Sequence, residues 1–188
     1  MFNEMLTRLR EAVPGMLLQV GGSISFAPED EGAGAKWLSD DTRHMLAELN
    51  PKPDQVTIAI NTNQMNVCEL LTEDDVAGTS LALPAYQDAY REMTIPSGPD
   101  FVAEHLKRLQ ANGIQPHFML GDAGQLETVE RLIRRGTYTG PLVLNWVGIG
   151  GGADGPNPYN MMEFIRRVPA GAVLTIESLM RNVLPLNT

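Results

Sequence analysis

The stretch Gly140-Pro-Leu-Val-Leu-Asn-Trp-Val-Gly-Ile-Gly-Gly-Gly-Ala-Asp-Gly-Pro156 constrains the fold more than any other. An apolar run from Leu142 to Ile149 carries one amide, Asn145, and then breaks into three consecutive glycines and a polar turn. A buried parallel strand that empties into a ligand-binding loop has this composition. Glycine lets backbone N–H groups approach a ligand closely, because no Cβ intervenes.

The same order of strand, glycine-bearing loop and helix recurs along the chain. Met1 to Ala12 reads as an amphipathic helix with Met5, Leu6 and Leu9 on one stripe, ended by Pro14-Gly15. Strands are expected at Met16 to Val20, Gln55 to Ile60, His117 to Leu120, Leu142 to Ile149 and Ala172 to Glu177. Helices are expected from about Asp41 to Leu49, capped by Asp40 or Asp41, and over Asp100 to Asn112, with Val102, Leu106 and Leu109 inward. Two more are expected over Gln125 to Arg135 and Pro158 to Val168. Residues 63 to 97 form a long connection, with a short helix expected near Tyr86 to Met93. No Asn-Gly type signal joins two strands as a hairpin. The spacing of about 30 residues is that of βα units on a parallel sheet with right-handed crossovers. An open doubly wound sheet and a (β/α) barrel both satisfy it. No G-x-G-x-x-G opens a helix, which argues against a dinucleotide fold.

Strand parity favours the barrel, since every second side chain points one way. Gln19 and Gly21 share a side, as do Thr57, Ala59 and Asn61; His117, Met119 and Gly121; Val143, Asn145 and Val147; and Thr175 and Glu177. The opposite sides carry Leu18, Val20, Val56, Ile58, Ile60, Phe118, Leu120, Leu144, Leu174 and Ile176, which would pack under helices. In a (β/α) barrel the site lies at the C-terminal strand ends. Gly22, Ser23, Thr57, Asn61, Asp122, Asn145 and Glu177 would then surround one mouth. Gly22 and Ser23 can bind a carboxylate through backbone N–H groups, Thr57 and Asn145 can hold a keto oxygen, and Glu177 can act as a general base. Asp122 also suits a helix N-cap, and Glu177 also suits a salt bridge with Arg181.

The formal net charge of −9 disfavours nucleic acid and anionic membranes as partners. The single cysteine, Cys68, allows no intrachain disulfide and reads as a structural thiol. The N-terminal residues lack the pattern of a secretory signal, and no run approaches the roughly 18 apolar residues of a membrane span. A cytoplasmic location is expected. His44, His105 and His117 have no chelating spacing, so no metal ligand is assigned in this chain. His44 and His105 are expected on helix surfaces, and His117 in the core or a pocket.

Five segments carry a family resemblance in order: Pro14-Gly-Met-Leu-Leu-Gln-Val-Gly-Gly22, Lys52-Pro-Asp-Gln-Val-Thr57, Gly113-Ile-Gln-Pro116, Pro141-Leu-Val-Leu-Asn-Trp-Val-Gly-Ile-Gly-Gly151 and Leu179-Met-Arg-Asn-Val-Leu-Pro185. Together they resemble the β-keto acid cleavage enzymes, whose founding member cleaves 3-keto-5-aminohexanoate. The resemblance implies a zinc-dependent (β/α)8 TIM barrel of which residues 1–188 cover about strands three to seven. This would be a single α/β domain lacking the first two and the last βα units. It implies condensation of a β-keto acid with acetyl-CoA to give acetoacetate and a new acyl-CoA, and a homo-oligomer. The zinc ligands of the family fall on the second and eighth strands, outside this chain, so the isolated piece is expected to lack zinc and turnover. Thr57 matches a threonine at the family's substrate site. Arg181 and Pro185 match the arginine and proline after the seventh strand, and Gly148 to Gly152 match the loop after the sixth. The expected substrate contacts are Gly22, Ser23, Thr57, Asn61 and Asn145, and the expected catalytic residue is Glu177. Gly150, Gly151, Gly152 and Arg181 are the expected contacts to coenzyme A. Two departures stand out: the family's Ser-Thr-Gly-Gly is Gly21-Gly22-Ser23-Ile24 here, and its Glu-x-Glu is His117-Phe118-Met119. A non-catalytic binding paralogue and a CoA-independent metal-dependent aldolase are the alternatives.

Overall fold

A computed structural model of the protein describes residues 2–22, 26–27 and 36–178. Helix α1 (Phe2–Ala12) leads to strand β1 (Gln19–Val20). Strands β2 (Phe26–Ala27) and β3 (Lys36–Trp37) pair antiparallel. Helix α2 (Asp40–His44) continues as a 3-10 turn, Met45–Glu48, and β4 (Gln55–Ala59) follows. The long connection holds β5 (Asn63–Gln64), α3 (Glu73–Val76), a 3-10 turn at Ser80–Ala82, α4 (Pro84–Arg91) and β6 (Thr94–Ile95). Then come α5 (Pro99–Ala111), β7 (Gln115–Leu120), α6 (Ala123–Arg134), β8 (Val143–Val147), α7 (Pro158–Arg167) and β9 (Val173–Glu177).

The main sheet is parallel, with order β1-β4-β7-β8-β9. Spatial order therefore follows chain order throughout. A doubly wound sheet reverses direction once; this one does not. Right-handed crossovers that all step the same way put their helices on one face. The architecture is a run of (β/α) units of the TIM-barrel type.

The core confirms which face that is. Ile58, Ile60, Phe118, Leu120, Leu144 and Trp146 join Val102 and Leu106 of α5, Leu126 and Val129 of α6, and Met161 and Phe164 of α7 in one apolar cluster, with Leu174 and Ile176 packed against it. Leu18 and Val56 join Leu6 of α1, Leu46, Leu49 and Leu109 in a second, adjoined by Val20. With Trp146 added, the strand residues among them are those expected under the helices. Asp54 locks the start of β4 to β1: its Oδ2 accepts from Leu18 N at 2.7 Å and pairs with Arg10 at 2.8 Å.

The opposite face is concave. Gln19 on β1 reaches over β4 to His117 on β7, with Nε2 to Nδ1 2.5 Å. His117 in turn reaches over β8 to Thr175 on β9, with Nε2 to Oγ1 3.0 Å. Neighbouring strands are about 4.8 Å apart, so next-nearest strands are about twice that. Side chains close such a gap only when the strands curl toward one another.

Several local expectations are corrected. Ser39, not Asp40 or Asp41, caps α2, because its Oγ accepts from Thr42 N at 3.3 Å while both aspartates lie in the first turn. Only Leu6 of the α1 stripe is buried; Met5 and Leu9 are exposed. Two antiparallel ribbons exist, β2 with β3 and β5 with β6, each joining residues too far apart in sequence to show a tight-turn signal. Asp122 does cap α6, accepting from Gln125 N at 2.8 Å. Among the described residues no helix is long and apolar enough to cross a membrane.

Candidate active site

The concave face carries one polar chain that touches all five main strands. Gln19 Nε2 lies 2.7 Å from Thr57 Oγ1 and 2.5 Å from His117 Nδ1. His117 Nε2 lies 3.0 Å from Thr175 Oγ1, which is 2.9 Å from Asn145 Oδ1. Asn145 Nδ2 is 2.7 Å from Glu177 Oε2.

Donor and acceptor rules give this chain a direction. The Glu177 carboxylate only accepts, so Asn145 presents its amide N–H there and its Oδ1 to Thr175. Thr175 directs its proton to Asn145 Oδ1 at 2.9 Å, the nearer of its two acceptors (Leu144 O is 3.2 Å away), and accepts from His117 Nε2–H. That leaves His117 Nδ1 to accept from Gln19, whose second N–H goes to Thr57 Oγ1. Burial lowers the His117 pKa, partly offset by Glu177, in keeping with a neutral ring. At one end, the Thr57 hydroxyl proton is committed to none of the described residues. At the other, Glu177 is exposed and its Oε1 accepts nothing from them.

Both ends border one cavity of about 300 Å³. It opens at the C-terminal strand ends, where Gly21, Gly22, Thr57, Met119, Val147 and Glu177 contribute. Such a volume sits at the lower end of small-molecule pockets, about 300–1,000 Å³. Its far wall comes from outside the main sheet: Trp37 of β3, Arg43 of α2, Met65, Ile95 of β6, Ser97, and Phe101 and His105 of α5.

Thr57, Glu177 and Gly22 thus share a cavity, and Asn145 stands behind Glu177, 5% exposed. Asn61 does not join them. The strand ends at Ala59, Asn61 takes φ 64°, and its Nδ2 donates to Thr128 Oγ1 on α6 at 3.1 Å. Its parity with Thr57 lapses where the strand stops. Ser23 and Arg181 lie outside the described residues.

The glycine-rich loop is packed rather than open. Gly150, Gly151 and Gly152 all have positive φ. Gly151 N donates to Glu69, and Gly151 O accepts from Asn66 N at 3.1 Å. A Cβ on Gly152 would stand 2.6 Å from Gln64 O. The close approach that glycine permits is taken up by residues 64 to 69 of the same chain.

His44 and His105 are corrected from surface to core, at 4% and 2% exposure. Their Nδ1 atoms are 3.1 Å apart, and both rings stack with Phe101. Burial, with the neighbouring His44 and Arg43, pushes the His105 pKa down to about 4. The signal was available: Phe101, His105 and Leu109 repeat every four residues on the apolar stripe of α5. Arg43 is also buried and borders the cavity. Its guanidinium lies over Phe101, 3.8 Å from the ring centroid. No pattern in the sequence marked it. Cys68 is half-buried, with its thiol pKa raised by burial, as a structural thiol would be.

The described residues do not fit a zinc site. No group of three or more His, Cys, Asp or Glu among them stands close enough to hold a metal, and both His117 ring nitrogens are engaged by Gln19 and Thr175.

Sequential parallel units with polar groups converging at the C-terminal strand ends define a (β/α)-barrel-type enzyme scaffold. A family model described as beta-keto acid cleavage enzyme matches residues 1–188, and the chain belongs to that family. Comparison with curated proteins gave no match.

Proposed function

We propose that the protein condenses a β-keto acid with acetyl-CoA, giving acetoacetate and the acyl-CoA of the remaining fragment. Family membership supports β-keto acid cleavage in general. The observation that carries the finer reading is the pair of open ends of the polar chain: a free hydroxyl proton at Thr57 and a free carboxylate oxygen at Glu177, both facing one cavity.

The methylene between the keto and carboxylate groups is the acidic position of a β-keto acid. Glu177 takes a proton from it, and the Thr57 O–H stabilises the enolate oxygen. The enolate carbon attacks the acetyl-CoA carbonyl and expels the CoA thiolate. The thiolate then attacks the original keto carbon, the bond from that carbon to the methylene breaks, and the acetoacetate enolate regains its proton from Glu177. Asn145 holds Glu177 and does not itself touch the substrate. Gly22, beside Thr57, offers its backbone to the substrate carboxylate.

Protein expressed from its complete coding sequence tests the reading. Acetoacetate should form from a β-keto acid only when acetyl-CoA is present, and Glu177→Gln should lower kcat by about 10²-fold or more. Cleavage that continues without acetyl-CoA would point to an aldolase instead. Binding without turnover would point to a non-catalytic paralogue.

A further inference from the structure

We propose that the end of the cavity formed by Arg43 and Ser97 is a carboxylate subsite, so that the preferred substrate is a β-keto dicarboxylate. The inference rests on the reaction assigned above for the placement of the reacting end, and on separate observations for the subsite.

Arg43 is 5% exposed. Its guanidinium is held against the Phe101 ring, 3.8 Å from the centroid, and 5.4 Å from that of Trp37. Nη1 donates to Asp40 Oδ1 at 3.1 Å and to Pro96 O at 2.5 Å. Neither Nε nor Nη2 donates to any described residue. Asp40 approaches from solvent, with its side chain 63% exposed, and engages Nη1 alone. A planar guanidinium fixed by stacking, with one edge open, is arranged for a carboxylate.

Ser97 supplies the second, independent observation. It follows Pro96, whose carbonyl fixes Arg43. The residue is 1% exposed, and its backbone N–H donates to Thr62 Oγ1 at 3.0 Å. Its hydroxyl is buried with no hydrogen-bond partner, and the residue borders the cavity. Buried hydroxyls are seldom left unpaired, and a ligand oxygen would complete this one.

The rest of the wall agrees. Arg43 is the only cation and Glu177 the only anion among the described lining residues, because burial keeps His105 neutral at ordinary pH. Apolar side chains, including Met65, Val67, Ile95 and Ile149, complete the lining. They suit a methylene chain. A substrate whose keto and methylene carbons meet Thr57 and Glu177 therefore directs its tail toward Arg43 and Ser97. A cationic tail would find no counter-ion there.

Glutarate, an unreactive dicarboxylate, and butyrate are the probes, titrated by isothermal calorimetry into protein expressed from its complete coding sequence. Glutarate should bind about tenfold tighter than butyrate, or better. Arg43→Gln should abolish the preference. Ser97→Ala removes an unpaired hydroxyl, so it should weaken glutarate binding several-fold while leaving the unfolding midpoint unchanged or raised. Equal binding of the two acids by the wild type, or glutarate binding untouched by Ser97→Ala, would overturn the subsite even if Arg43→Gln fails to fold. Turnover separates the two readings. Glutarate preference without acetoacetate from 3-oxoadipate and acetyl-CoA removes the reaction and leaves the subsite. Equal turnover of 3-oxohexanoate and 3-oxoadipate, with no glutarate preference, removes the subsite and leaves the reaction.

Discussion

His117 and Thr175 lie on strands that are not neighbours, yet His117 Nε2 stands 3.0 Å from Thr175 Oγ1 across β8. That bond is the midpoint of the directional chain from Gln19 to Glu177. Thr175 accepts from His117 and donates to Asn145, so removing its hydroxyl leaves a partner unsatisfied on each side. Thr175→Val keeps the shape and loses both of these bonds, together with the 3.2 Å contact to Leu144 O. It should lower the unfolding free energy by about 1–3 kcal/mol in urea titration. It should also lower kcat, because Asn145 no longer holds Glu177 in place. Thr175→Ser should restore both quantities. Equal behaviour of the valine and serine variants would show that the chain has no energetic role.

The buried histidines set a pH dependence of stability. Burial is the leading cause of a lowered pKa in His44, His105 and His117, and His105 falls to about 4. The unfolded chain takes up these protons near pH 6.5, whereas the native state resists them. Protons bound are then more numerous in the unfolded state, so stability rises with pH. The contribution is complete above the unfolded value and is lost as pH falls from about 7 toward 4; for His105 alone it is on the order of 3 kcal/mol. Asp54, held below the usual carboxylate range first by the Leu18 N–H, adds a loss of the same sign at more acid pH. Urea midpoints measured between about pH 7.5 and 4.5 should decline steadily, and His105→Phe should flatten the slope. A level profile in the wild type would contradict this.

Thr57 differs from the other members of the polar chain in having a proton to spare. It accepts from Gln19 at 2.7 Å and borders the cavity. Thr57→Val should therefore cost about 10²-fold in kcat, the scale of one lost donor to a developing oxyanion. Thr57→Ser keeps the donor and should cost far less. Both should leave substrate KM changed less than kcat, since the bond strengthens as charge develops. A valine variant that raises KM alone would assign Thr57 to ground-state binding.

Strand parity was legible because alternation is local: Gln19, Thr57, His117, Asn145 and Thr175 need only their own strands to be recognised as one face. The directional bonding among them was not, since it depends on how far the sheet curls and brings β1 to β7 and β7 to β9. Asn61 shows where the rule stops: two residues beyond the last strand position, a positive φ turns the side chain toward α6. Arg43 and Ser97 carry no pattern at all. Ser97 reaches the cavity from a connecting segment, where neither period two nor period 3.6 applies, and Arg43 from the five-residue helix α2, which is too short to show a stripe. His44 and His105 were misjudged because polarity outweighed position on an apolar helical stripe. The three glycines correctly signalled a close approach, but by the chain itself.

Gly151 offers a direct test of that last point against Gly171. Both have positive φ, 61° and 85°. A Cβ at Gly171 meets nothing within 4 Å, so Gly171→Ala should cost only the left-handed backbone term, about 1–2 kcal/mol. At Gly151 the added carbon would stand 2.7 Å from Asn66 N and close upon Asn66 O, both backbone atoms that cannot step aside as a flexible side chain would. Gly151→Ala should thus exceed the Gly171→Ala loss by a further 1–3 kcal/mol of overpacking. It should also separate β8's loop from residues 64 to 69, because the clash falls on the segment that holds Glu69 and Asn66 against it. Urea unfolding gives the first comparison, and limited proteolysis within residues 64 to 71 gives the second. Equal losses at the two glycines, with no new cleavage, would mean the loop is not bound to that segment in solution.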